Sequence, residues 1–139
     1  MGRIVAQLKI INPLEKDKFI ECSALVDTGA SHLTLPMAWK HKLGQLDDYH
    51  QAEAEMASQE TVSAELAGPV RIEIEGFGAS YGEVLFVEMK PRGEDYEVLL
   101  GHLPLQYARI AVDMVGHRLL PVKYVDCKGI ISLRTPASS

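Results

Sequence analysis

The stretch Ala24-Leu25-Val26-Asp27-Thr28-Gly29-Ala30-Ser31 decides how the chain is read. Three apolar residues run into a carboxylate, a hydroxyl, a glycine and two small residues. That is the pattern of a buried strand ending in a tight loop that presents Asp27. Asp and Gly favour turns for conformational reasons alone, so the octapeptide by itself fits an ordinary strand-to-turn junction equally well. A second stretch shifts the balance. Val98-Leu99-Leu100-Gly101-His102-Leu103-Pro104-Leu105 runs an apolar strand through a glycine into a short helical segment, and a further apolar strand follows.

The composition sets the frame. A chain of 139 residues is the size of one domain with a real core, and 47% hydrophobic with 24% charged residues matches an ordinary globular protein. Fourteen Lys and Arg against nineteen Asp and Glu give a formal charge of −5 without a basic run, so nucleic acid is not an expected partner. No apolar run reaches the roughly 20 residues of a membrane helix, so no membrane segment is expected. The first nine residues alternate apolar and polar and lack the apolar run of a signal peptide, which makes a cytoplasmic location the expectation. Cys22 and Cys127 have no metal-ligand spacing and read as structural thiols of a reducing compartment.

Along the chain, residues 3–11 alternate with Ile4, Ala6, Leu8 and Ile10 on one side, and residues 18–26 form a second strand, a hairpin that delivers Asp27. Residues 33–35 predict a short strand. Pro36 then suits the start of a brief helix over 37–43, stopped by Gly44 and anchored by Trp39. Residues 47–56 are acidic and weakly patterned. Residues 57–67 predict a hairpin around Ser58-Gln59-Glu60; Val70, Ile72 and Ile74 alternate, Gly76-Phe77-Gly78 breaks the strand, and 81–89 resumes it. A turn at 91–95 leads back to the interior at 96–100, followed by a helix to about Tyr107 with Pro104 in its first turn. Residues 110–114 and 118–122 form a hairpin across Val115-Gly116-His117, residues 128–133 a terminal strand, and 135–139 a frayed tail. The sum is a mostly β, barrel-like fold with one or two short helices, a single domain over residues 1–134.

The two quoted stretches together resemble the retropepsin-like aspartic proteases, the short bacterial members more than the viral ones. The pattern of Ile110 to Val122, with Asp113, Gly116 and Arg118, is also similar to those bacterial sequences. The resemblance implies a closed retropepsin-like β-barrel subunit that acts as a homodimer on a peptide or protein substrate, with no metal or organic cofactor. It implies catalytic roles for Asp27, Thr28 and Gly29, room for substrate at Ala30 and Ser31, and structural support from Leu100, Gly101 and His102. Peptide hydrolysis without a covalent intermediate needs one group to take a proton from water and another to give one to the carbonyl oxygen. Two carboxylates sharing one proton do both. The chain holds one Asp-Thr-Gly, so on this reading the second Asp27 comes from another copy across a two-fold axis. The family places the dimer contacts at the Asp27 loops and the termini, here Arg3-Ile4-Val5-Ala6 and Ile130-Ile131-Ser132-Leu133.

Two departures stand out. Where retroviral enzymes pair an Asp with an Arg to brace the subunit, this chain has Ser31 and His102, so the brace is absent or reduced to a hydroxyl-imidazole bond. The flap that closes over substrate falls at residues 56–64, which contain no glycine; Phe77 between two glycines is an alternative tip. A dimeric peptide-binding module with little or no proteolysis is therefore the second reading. Phosphate-binding loops of actin-like kinases share the strand, Asp and Gly but need two large domains. The five histidines lack metal-ligand spacing, Asp113 lacks a following Thr-Gly and reads as part of a structural turn, and Leu35 and Val84 are candidates for an apolar groove wall.

Overall fold

A computed structural model describes residues 3–56 and 58–122. In chain order it contains β1 (Val5–Asn12), β2 (Glu15–Val26), β3 (Leu33–Pro36), a 3-10 helix (Met37–Leu43), β4 (Asp48–Glu55) and β5 (Thr61–Ile74). There follow β6 (Ala79–Val87), β7 (Leu99–Leu100), α1 (His102–Tyr107), β8 (Ile110–Asp113) and β9 (Arg118–Pro121). The first seven strands make one sheet in the order β1-β2-β7-β3-β6-β5-β4, and an added β1–β5 pairing closes it into a barrel. Strands β8 and β9 form a separate two-stranded sheet. The expected fold class, mostly β and barrel-like with two short helices, is what the chain adopts.

The alternation in β1 explains its place in the barrel. Ala6, Leu8 and Ile10 point inward, where they join Ile20, Leu33, Leu35, Ile72, Ile74, Phe86 and Leu100 in one buried cluster. Burial of this apolar surface supplies most of the driving force. Leu35 and Val84 are both fully buried within it, so they are core residues and line no groove.

Asn12 is a polar exception at the end of β1. It is fully buried, donates Nδ2–H bonds to the carbonyls of Leu43 (2.7 Å) and Gln45 (2.9 Å), and accepts the Leu14 N–H (2.8 Å). One side chain thus ties the first hairpin to the end of the 3-10 helix. Gly44 ends that helix at φ 66°, where a side chain would be strained.

The middle of the chain differs from its sequence reading. Residues 48–55, weakly patterned in sequence, form β4 and pair with residues 61–68 of β5, so the hairpin around Ser58-Gln59-Glu60 has a longer first arm than its sequence reading gave it. β5 runs unbroken through Gly68-Pro69 with a register shift between Ala67 and Val70, and Pro69 lies exposed there. A proline at a bulge costs the ladder little, which is why the strand survives it. The expected strand at 128–133, the interface residues Ile130 to Leu133, the tail at 135–139 and Cys127 lie outside the described residues. Among the described residues no helix is long and apolar enough to cross a membrane.

Candidate active site

The Asp27 loop is held by β7, a strand of two residues inserted between β2 and β3. It runs parallel to β2, with Leu25 opposite Leu99 and Val26 opposite Leu100, and antiparallel to β3, with Leu33 opposite Leu100. The Asp27 N–H donates to the Leu100 carbonyl (3.0 Å), the Leu25 N–H to the Val98 carbonyl (2.8 Å) and the Val26 N–H to the Ile4 carbonyl (2.8 Å). Beyond β7 the chain binds the far side of the same loop. The N–H groups of Gly101, His102 and Leu103 donate to the carbonyls of His32 (3.1 Å), Ala30 (2.9 Å) and Ser31 (3.0 Å).

This close approach explains the glycine. A Cβ on Gly101 would lie 2.6 Å from the His32 carbonyl oxygen and 2.7 Å from that of Ala30, both backbone atoms. Leu100 is fully buried, so it anchors the β7 segment in the core while Gly101 lets the backbone turn against the loop. Leu100, Gly101 and His102 therefore sit where they can support the Asp27 loop, His102 by its backbone N–H.

Within the loop, the Ala30 N–H donates to the Asp27 carbonyl (3.0 Å) and the Gly29 N–H to Asp27 Oδ1 (2.9 Å). The carboxylate is fixed in direction by a backbone donor and remains half-buried. A Cβ on Gly29 would come within 3.2 Å of the same Oδ1, so a larger residue would crowd the carboxylate. Thr28, Gly29 and Ser31 are exposed and Ala30 is half-buried. Ser31 Oγ lies 2.7 Å from His32 Nδ1, so the serine bonds its neighbour rather than His102. Backbone bonds from His102 and Leu103, and no bond between the Ser31 and His102 side chains, connect the two segments.

The β4–β5 hairpin spans residues 56–64, where a flap was expected. Its turn is closed by the Met56 N–H to the Glu60 carbonyl and the Gln59 N–H to the Met56 carbonyl, both 2.8 Å. Gln59 takes the left-handed conformation at φ 69° that a glycine would take without strain. β6 pairs with β5 only from Ala64 onward, so the outer hairpin is a two-stranded ribbon. Lys40 on the 3-10 helix pins its base through Glu65 and by lying 4.6 Å over the Tyr49 ring. Phe77, by contrast, packs against the core and its N–H is bonded to Ile74, so it is no free tip.

One further feature, at Glu97, was not anticipated. Glu97 is gripped by Arg3 (2.8 Å) and Arg92 (3.0 Å), which links the chain before β1 to the loop before β7. Asp113 accepts the Gly116 N–H (2.9 Å) and pairs with Arg118 Nε (3.1 Å). These bonds hold its carboxyl below the usual range and identify it as the turn residue of the β8–β9 hairpin. Cys22 is packed against the core, and burial pushes its thiol up to about 11 despite the opposing pull of Lys42. Among the described residues no group of three His, Cys, Asp or Glu is placed to hold a metal. A concavity of about 730 Å3 on β1, β2, β5 and the 76–79 turn does not include the Asp27 loop.

No family model and no curated protein sequence matches this chain. Among solved structures it is similar to EIAV protease complexed with the inhibitor HBY-793, with a TM-score of 0.54 over 76% of this chain and 86% of that one. The chain has a retroviral-protease-like fold. At 20% sequence identity the likeness is one of fold.

Proposed function

We propose that the protein is an aspartic endopeptidase whose site is completed by a second copy of the chain. The observation that carries this reading is the Asp27 loop itself. A carboxylate oriented by the Gly29 N–H stands on a loop fixed from both sides by Leu100, Gly101 and their neighbours, within a retroviral-protease-like fold. The exposed Thr28 and Gly29, and residues 3–5 beside Val26, are the surface offered to the second copy; Val5 is 55% exposed there, whereas Ala6, also expected at the interface, is buried in the core.

In such a dimer the two Asp27 carboxylates face each other and share one proton, because close like charges cannot both ionise. The ionised one takes a proton from a water held between them. The protonated one gives its proton to the oxygen of the scissile carbonyl, and the tetrahedral intermediate collapses with proton transfer to the leaving amine. The Gly29 N–H keeps each carboxylate oriented at no reorganisation cost during the reaction. The β4–β5 ribbon covers the substrate.

The test is cleavage of a diverse peptide mixture read by mass spectrometry from about pH 4 to 7, with Asp27→Asn beside the wild type. Cleavage lost in the variant while the dimer persists supports the enzyme. A dimeric wild type that cleaves nothing favours the peptide-binding reading, which the glycine-free turn at Gln59 also supports.

A further inference from the structure

The β4–β5 ribbon cannot brace itself with charge. From residue 43 to residue 70 the sequence holds six carboxylates and no Lys or Arg, so the ribbon has no Lys or Arg of its own to pair with them. Strand pairing puts Glu53, Glu55 and Glu65 on one face, opposite Ser63, Thr61 and Gln51, and like charges set along one face repel. An ionic hold on the ribbon has to come from outside it.

Three observations assign that hold to Lys40. The first is where it grips. β6 pairs with β5 at Glu65, opposite Phe86, and ends its contact at Ala64, opposite Val87, so Glu65 stands at the step from three strands to two. A two-stranded ribbon bends most readily at such a step. The second is that one ammonium reaches both strands: Lys40 Nζ pairs with Glu65 of β5 and lies 4.6 Å over the Tyr49 ring of β4. The two paired side chains are 36% and 18% exposed, so solvent and salt screen them less than an ordinary surface pair. Among the described residues no other Lys or Arg pairs with a carboxylate of the ribbon.

The third is that the anchor is rigid. Lys40 stands on the 3-10 helix, whose Leu43 is fully buried and whose end is tied to β1 through Asn12. The Tyr49 hydroxyl donates to the Gly44 carbonyl and accepts the Leu46 N–H, both 3.1 Å, which fixes the ring that the ammonium rests on.

We propose that Lys40 is a positioning residue, a latch that sets the angle of the ribbon over the cleft and with it the affinity for an extended polypeptide beneath. With the latch closed, the face carrying Ala52, Ala54 and Val62 is held half-buried. With it released, the ribbon has to be ordered anew each time substrate binds, which weakens binding without touching the groups at Asp27. The effect on substrate rests on the peptidase reading; the latch itself does not.

The test follows amide hydrogen exchange in the full chain for the wild type, Lys40→Met, Lys40→Arg and Glu65→Gln. Lys40→Met should speed exchange over residues 51–55 and 61–63 about tenfold while β1 and β2 keep their protection. Lys40→Arg should stay near the wild type, and Glu65→Gln should match Lys40→Met, with little added by combining the two. With a cleaved peptide, Lys40→Met should raise KM several-fold and change kcat less. Unchanged ribbon exchange, faster exchange spread equally over β1 and β2, or Lys40→Arg behaving like Lys40→Met overturns the latch. A loosened ribbon with unaltered KM overturns its role in affinity. If the wild type cleaves nothing, the peptidase reading fails while the exchange result still decides the latch.

Discussion

Gly101 and His32 face each other across the base of the candidate active site, joined by an N–H···O=C bond of 3.1 Å, with no room for a side chain between them. Gly101→Ala should therefore force the two backbones apart. Overpacking of this kind costs about 1–3 kcal/mol. The measurement is the denaturant midpoint, and any cleavage activity should fall with it because the Asp27 loop loses its backing.

Asn12→Ala removes three hydrogen bonds at a fully buried position and leaves the Leu43 and Gln45 carbonyls without that donor. The expected loss is about 1–3 kcal/mol of stability. Asn12→Asp should be at least as harmful, since the acceptor-only carboxylate faces two carbonyl oxygens. Chemical denaturation of both variants checks this.

Gln59→Gly tests the strain in the hairpin turn. A left-handed non-glycine residue costs about 1 kcal/mol, partly offset by the greater unfolded-state freedom of glycine. Stability should hold or rise slightly. If the ribbon covers substrate, the variant should change KM more than kcat.

Asp113 gives stability a defined pH dependence. Its folded carboxyl titrates below the unfolded value of about 4, because Gly116 and Arg118 favour the charged form. The contribution is present above that unfolded value and is lost as pH falls through the folded one. Wild type and Asp113→Asn should therefore differ in urea midpoint at pH 6 and converge as the medium is acidified toward pH 2.

Cys22, with its thiol pushed up to about 11, should resist alkylation in the folded protein at pH 8. Peptide-resolved mass spectrometry should find it unlabelled until denaturant is added. Prompt labelling under native conditions would contradict the burial seen here.

Much of the fold was legible because its signals are local. Inward alternation at Ala6, Leu8 and Ile10 marks a strand by period alone, and Gly44 marks a helix end. β4 was not legible because, beyond Tyr49, its half-buried positions Ala52 and Ala54 are small residues of weak strand preference among exposed glutamates. β5 was read in two pieces because Gly68-Pro69 looks like a break, and only pairing with its neighbours carries the strand across it.

The sequence by itself determined the strand-rich class, the loop that presents Asp27 and the glycine at 101, since each is written in neighbouring residues. Only the tertiary structure decided that Leu99–Leu100 threads between β2 and β3, that Ser31 bonds His32 rather than His102, and that Leu35 and Val84 belong to the core. Those outcomes depend on contacts between residues far apart in the chain, whose partners are chosen by how the whole barrel closes and packs rather than by any local pattern.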